Sequence, residues 1–221
     1  MTLRTTRDGW HRVAEHVLAA GQYADTGEIK LAIVDGGFRT TRPLRGNRRL
    51  RVAGTRLVIA DDAGTRAVPL TTVAAAARFA GITPGLPATV YQPATPLAPD
   101  EPLDVDAESA RVLGDWYQLA QSALLRFSAD LGSDGNPILW PEHFDVGITI
   151  QAVNFGASPG DDHIPQPYAY VGPHGGPPTR DAFWNTRFGA ARTIGEVPTV
   201  DAAARFFHEG RSRLAEHAPT G

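Results

Sequence analysis

The chain has 221 residues, 42% of them hydrophobic and 20% charged, with a formal net charge of −3. That is the balance of an ordinary globular protein with a real core, and it excludes an extended polyanion binder, which needs a basic face. There is no cysteine, which removes disulfides, thiolate metal sites and a cysteine nucleophile. Lys30 is the only lysine, so Schiff-base and P-loop chemistry have no other residue to use. The opening MTLRTTRDGWHR carries no apolar core and no apolar run reaches the roughly 20 residues of a membrane helix. A soluble cytoplasmic protein is the expectation.

Asp8 can cap a helix over 9–21. Trp10, Val13, Ala14, Val17 and Leu18 then form one apolar stripe, with Gly21 as its stop. His11 and His16 fall off that stripe and are expected on the solvated face. A β-meander follows. Its strands are expected at Ile29–Val34, Phe38–Thr41, Arg49–Ala53, Arg56–Ala60 and Thr65–Val68, with turns at Asp35-Gly36-Gly37, Gly54 and Asp61-Asp62-Ala63-Gly64. Arg39, Arg42, Arg45, Arg48, Arg49 and Arg51 make a local basic patch, able to hold a phosphate or an acidic partner but read first as a solvated edge whose charges block aggregation. An Ala-rich helix, capped by Thr71 or Thr72, ends at Gly81.

Pro93, Pro96, Pro99 and Pro102 recur at every third residue, a spacing suited to an extended, polyproline-like segment. The expected division is therefore a helix–meander–helix unit over 1–92, a Pro-rich connector over 93–104 and a C-terminal α+β unit over 105–221. The alternative is an arm packed across a single domain. The longest helix is expected over 106–131, where Val112, Leu113, Trp116, Leu119, Ala120, Ala123, Leu124 and Phe127 give a wide apolar face. The fold class is α+β, with that long helix packed on an antiparallel sheet.

The stretch from Ile138 to Tyr170 holds most of the residues capable of chemistry. Phe144, Val146, Ile148 and Ile150 alternate with His143, Asp145, Thr149 and Gln151, which predicts a strand over 143–154 with one core face and one polar face. Gly147 in mid-strand predicts a bulge or the close approach of another group. The segment 155–165 is read as a long reversal, and Tyr168–Val171 as a short partner strand with Tyr168 and Tyr170 on one face. The segment 181–191 is expected to cover the site or to add an edge strand. A last helix is expected from Thr199 to His217, with Gly210 as its weak point.

Glu142, His143, Asp145, Asp161, Asp162, His163 and His174 concentrate titratable groups here. His143 and Asp145, two apart on one strand face, can act as an acid/base pair with Asp145 orienting His143. They can equally share a divalent ion with a carboxylate or imidazole from the reversal. Tyr168, Tyr170, Asp161 and His163 would wall such a site. Against this, the spacing matches no HExxH or EF-hand pattern, GASPG is not a GxSxG elbow, and no nucleotide fingerprint occurs. Structural hydrogen bonding by the same residues is the competing reading. No cofactor is indicated.

Residues 139–145 (LWPEHFD), 154–161 (NFGASPGD) and 164–170 (IPQPYAY) together resemble an uncharacterised bacterial family, common in actinobacteria. That family has a Trp-Pro-x-His-Phe-Asp strand and an Asn-Phe-Gly-x-Ser-Pro-Gly-Asp loop. The resemblance implies a cytoplasmic bacterial protein and supplies no reaction and no catalytic residue. Two functions stand open: a non-catalytic interaction module, perceived as the better fit and compatible with a homodimer, and a small-molecule-binding protein or enzyme using His143 and Asp145. Nucleic acid and membrane are not expected partners.

Overall fold

A computed structural model describes residues 2–217 and shows an α+β protein with antiparallel strands. The chain divides into two compact units. One comprises Met1–Asp115 and Ile138–Phe144, the other Trp116–Pro137 and Asp145–Gly221. The expected boundaries at 92 and 105 are therefore replaced by one that runs through the long helix after Asp115.

In the first unit the leading helix begins earlier and runs further than the 9–21 expected. Helix α1 (Leu3–Val13) is capped by Thr2, whose hydroxyl accepts from Thr5 N while Thr5 reaches back to the cap. Threonine here replaces the usual Glu or Gln of a capping box, which is why the start is hard to see in sequence. Asp8 instead pairs with Arg7 at 2.7 Å. The chain then passes through a π-helical segment (Ala14–Ala19) into α2 (Ala20–Thr26), which ends at Gly27 with φ 74°. Gly21 does not stop the helix. A Cβ there would lie 3.1 Å from Ile82 and 3.2 Å from Leu44, so it is a packing glycine.

The π segment changes which residues are inside. Trp10, Val13, Ala14, Val17 and Leu18 are fully buried as their spacing predicts. An i→i+5 turn holds more residues than an α turn, so the apolar stripe drifts round the axis. All six residues of the segment are buried, including Glu15 at 0% and His16 at 1% exposure. The solvated face expected for His16 is thus a buried one.

Strands β1 (Leu31–Val34), β2 (Gly37–Thr40), β3 (Arg49–Ala53), β4 (Arg56–Asp61) and β5 (Gly64–Pro69) form the meander, and β6 (Ile138–Trp140) joins it against β1 through Leu31 and Leu139. Leu50, Val52, Leu57 and Ile59 alternate inward from β3 and β4, while Arg49 and Arg51 stay exposed. Helix α3 (Val73–Ala80) starts on Thr72 and ends at Gly81, as read from sequence.

The Pro-rich stretch is not a connector. It is an arm laid on the first unit. Ala74 N donates to Pro99 O at 2.8 Å, Leu103 N to Thr71 O at 3.0 Å, and Glu15 takes the backbone of residues 94 and 95. Gly9 permits the closest approach, since a Cβ there would sit 2.2 Å from Leu103 O.

Helix α4 (Ala107–Asp130) supplies the second unit's wall from Trp116 onward. Against it lie β7 (Asp145–Ile150), β8 (Val153–Ser158), β9 (Tyr168–Pro173) and β10 (Ala190–Thr193), in that order and antiparallel. Phe127, Phe155 and Phe207 form an aromatic centre with ring separations of 4.6 to 6.1 Å. Helix α5 (Val200–Glu216) is capped by Thr199 and is not broken by Gly210. A Cβ at Gly210 would approach Val171 to 2.8 Å, so the glycine lets α5 close onto β9.

The predicted strand over 143–154 is two strands. Residues 141–144 form a turn, with Phe144 at φ 52°, and β7 begins at Asp145. The chain reverses at Gln151-Ala152, with φ 51° and 60° at the two positions, and returns as β8. Both residues occupy the left-handed region that two-residue hairpins of the I′ type require, normally filled by Asn and Gly. Among the described residues, no helix is long and apolar enough to cross a membrane.

Candidate functional site

The second unit spends its conspicuous acids on tyrosines. The register places Gly147 opposite Gly156 and Gly156 opposite Tyr170. The phenol of Tyr170 therefore lies across two positions without side chains. A Cβ at Gly156 would come within 2.5 Å of its hydroxyl, and one at Gly147 within 3.2 Å. Gly147 thus marks a close approach, not a bulge. At the end of this track Tyr170 Oη donates to Asp145 Oδ2. Burial, then the neighbouring Asp145 charge, raise the Tyr170 hydroxyl well above its usual range, so it stays a donor.

Tyr168 shares that face, with ring centroids 6.4 Å apart, and donates to Asp161 Oδ2 at 2.6 Å. Asp161 Oδ1 accepts the backbone N–H groups of His163 at 2.6 Å and Ile164 at 2.8 Å. Burial opposes the Asp161 charge, but the bonds from Tyr168, Ile164 and His163 outweigh it and hold the carboxyl below its ordinary value. This carboxylate closes the 159–167 loop. Ser158 is buried and its hydroxyl accepts from Gly160 N at 3.1 Å, a turn bond and not a poised nucleophile.

Of the residues picked from sequence, Asp145 meets Tyr170, and Asp161 meets Tyr168. His143 is exposed in the 141–144 turn of the first unit and its ring makes no hydrogen bond among the described residues. His163 is exposed; its backbone N–H donates to Asp161 Oδ1 and its ring bears electrostatically on that carboxylate. His174 Nε2 lies 3.1 Å from Asn154 Oδ1. Among the described residues, no group of three or more His, Asp or Glu is arranged to hold a metal ion.

A second polar cluster, in the first unit, was invisible in sequence apart from Glu142. Glu15 is completely buried, and its carboxylate accepts Ala94 N at 2.9 Å, Thr95 N at 2.8 Å and the Thr95 hydroxyl. His11 Nε2 lies 2.8 Å from Pro141 O and 3.7 Å from Glu15 Oε2, its ring stacked on Phe144 at 4.9 Å. His16 Nε2 lies 3.0 Å from Thr95 O. Burial lowers both imidazoles below their ordinary value, against the pull of Glu15, so both are neutral donors near pH 7. Tyr91 is pushed far up by burial and then by Glu15 and Glu142. Its oxygen nonetheless makes no hydrogen bond of acceptable geometry, although Glu15 is near enough to bear on it. The partners of Glu15 stand 79 and 80 residues away. No local pattern carries that information.

No family model, no curated protein and no solved structure matches the chain.

Proposed function

We propose that the protein is a non-catalytic interaction module, whose contact surface in the second unit centres on Phe188. One observation carries this reading. Phe188 is 41% exposed, and its ring rests on Tyr168 at 6.3 Å and meets Tyr170 edge-on at 6.2 Å. Both tyrosines are pinned by carboxylates, Asp161 and Asp145. The acids that invite a catalytic reading thus brace a rigid aromatic platform. Exposed aromatics on rigid supports are the residue type that dominates protein interfaces.

The enzymatic alternative needs His143 oriented by Asp145, and no observation favours it. The bacterial, cytoplasmic setting belongs to the same proposal and rests on the motifs at 139–170.

A second copy of the chain is the simplest partner. Sedimentation velocity of the wild type and Phe188→Asp at micromolar concentrations tests it. A reversible dimer weakened by the substitution, with an unchanged circular dichroism spectrum, supports the reading. A strictly monomeric wild type, or a dimer indifferent to Phe188, sinks it.

A further inference from the structure

We propose that the outward face of β2, β3 and β4, which carries Arg39, Arg49, Arg51 and Arg56, docks an acidic segment of a partner protein. This surface belongs to the first unit, so the inference goes beyond the Phe188 reading and does not depend on it.

Strand register gathers the four side chains. Residues opposite one another in an antiparallel pair share a face, and the faces alternate along each strand. Arg51 stands opposite Arg39 on β2 and opposite Val58 on β4. Arg49 lies two residues along β3 from Arg51, and Arg56 two along β4 from Val58, so all four share one face. The other face is core, with Phe38, Leu50, Val52, Leu57 and Ile59 buried. Opposed Cβ atoms lie about 5 Å apart and residues two along a strand about 7 Å, so the arginines form one continuous patch. Arg49, Arg51 and Arg56 are exposed and Arg39 is half-buried.

The patch holds no counter-charge. The residues paired with the four arginines are Ala32, Ala53, Val58, Ala60 and Pro69. Arg39 and Arg56 donate to the backbone oxygens of Thr40 and Ala67 at 2.9 and 3.0 Å. Arg49 and Arg51 make no side-chain hydrogen bond or ion pair among the described residues. Neighbouring carboxylates are taken: Asp61, on the opposite face, by Arg66 at 2.6 Å, and Asp25 by Arg45 at 3.1 Å.

Like charges directly opposed across a sheet destabilise it, so the Arg39–Arg51 pair is a cost that a bound anion relieves. Protection against aggregation does not account for it. Charges that block edge pairing belong on edge strands. Here β2, β3 and β4 are each hydrogen-bonded on both sides, and the end strand β5 brings Thr65, Ala67 and Pro69 to this face.

Guanidinium groups recognise carboxylates and phosphates through paired, planar hydrogen bonds. The setting favours carboxylates on a protein. No aromatic ring is paired with the arginines, so nucleic-acid bases find nothing to stack on. The net charge of −3 opposes a long polyanion. A second copy is a poorer occupant, because its acidic stretch is engaged: Glu101 by Arg12 at 3.4 Å, Asp106 by Thr6 and Ser109 N, and Glu108 by Arg111 at 2.7 Å.

The test is fluorescence anisotropy of the full chain with labelled decaglutamate, decaglutamine and an oligothymidylate of about ten nucleotides. Titrations are run at about 50 mM and about 300 mM sodium chloride. Decaglutamate binds saturably at the lower salt and at least about tenfold more weakly at the higher, while decaglutamine does not bind. Arg51→Glu weakens decaglutamate at least about tenfold. By placing a carboxylate opposite Arg39 it also raises the urea midpoint of unfolding. Arg211→Glu makes the same charge change on α5 of the second unit, at an exposed position, and weakens binding less than about twofold. Phe188→Asp leaves the binding unchanged. If Arg51→Glu does not fold, Arg51→Gln carries the comparison of affinities. No saturable binding of decaglutamate, equal losses in Arg51→Glu and Arg211→Glu, a loss accompanied by a lowered midpoint, or tighter binding of the oligothymidylate overturns the proposal.

Discussion

Tyr170 reaches Asp145 only because Gly156 and Gly147, its neighbours across β8 and β7, leave the phenol a track to lie in. A methyl group at Gly156 would meet the tyrosine oxygen at 2.5 Å and its ring carbon at 2.6 Å. Gly156→Ala is therefore expected to destabilise the protein by roughly 3 kcal/mol, the upper range of overpacking in a filled site. The same substitution in a Tyr170→Ala background meets no ring but still meets Val146 O at 2.7 Å, so its cost should fall by about 1 kcal/mol or more without vanishing. Urea unfolding of the four proteins measures the coupling. Additive costs would show that the glycine serves the backbone and not the tyrosine.

Glu15 holds the Pro-rich arm with three hydrogen bonds from residues 94 and 95 while fully buried. Glu15→Ala leaves two N–H groups and a hydroxyl of the arm without their acceptor. A loss of about 3 kcal/mol is expected, since bonds to a charged group are among the stronger ones. The arm should also become a target of limited proteolysis between residues 84 and 104, ahead of global unfolding. Mass spectrometry of the first fragments decides this. First cuts elsewhere would mean that the arm is held by its other contacts.

The two clusters differ in how far the sequence exposes them. Simple alternation puts Tyr168 with Tyr170 on one face and Asp145 on the polar face of its own strand, because a strand's period of two survives the error in its boundaries, but the register that brings them together is not in the pattern. The turn at Gln151-Ala152 was missed because neither residue is the Asn or Gly that left-handed backbone normally selects. His16 and Glu15 were misplaced for a different reason. A 3.6-residue period assumes unbroken i→i+4 bonding, and the π segment departs from it. The proline spacing suggests an extended segment, whereas the chain bends at 94–95 and turns at 99–100. What that segment packs against depends on a buried carboxylate far away in the chain.

Stability should fall as the solution is acidified through the histidine range. His11 and His16 sit below their ordinary 6.5 in the folded state, chiefly through burial. Above that value both folded and unfolded chains hold them neutral and the pair contributes no pH dependence. Below it the unfolded chain takes up protons that the folded chain resists, so stability is lost as pH falls from 6.5 toward the lower folded values. Asp161, held below 3.8, contributes stability present above that value and lost only further down. Unfolding free energies at about pH 8 and about pH 5 should differ in the wild type and differ less in His16→Gln. An identical slope in the variant would remove His16 from the account.

The hairpin between β7 and β8 carries avoidable strain. Gln151 and Ala152 hold φ values of 51° and 60°, and both are exposed. Each non-glycine residue in that region costs on the order of 1 kcal/mol, least for Asn and nothing sterically for Gly. The replacement Gln151→Asn with Ala152→Gly supplies the pair that this turn type prefers. Part of the gain is offset, because Gly also widens the unfolded ensemble. The double variant should therefore be more stable by roughly 1 kcal/mol and should raise Tm by a few degrees in calorimetry, with no change in the dimerisation expected of the Phe188 surface. A destabilised double variant would show that the turn is held in another conformation than the one its dihedral angles describe.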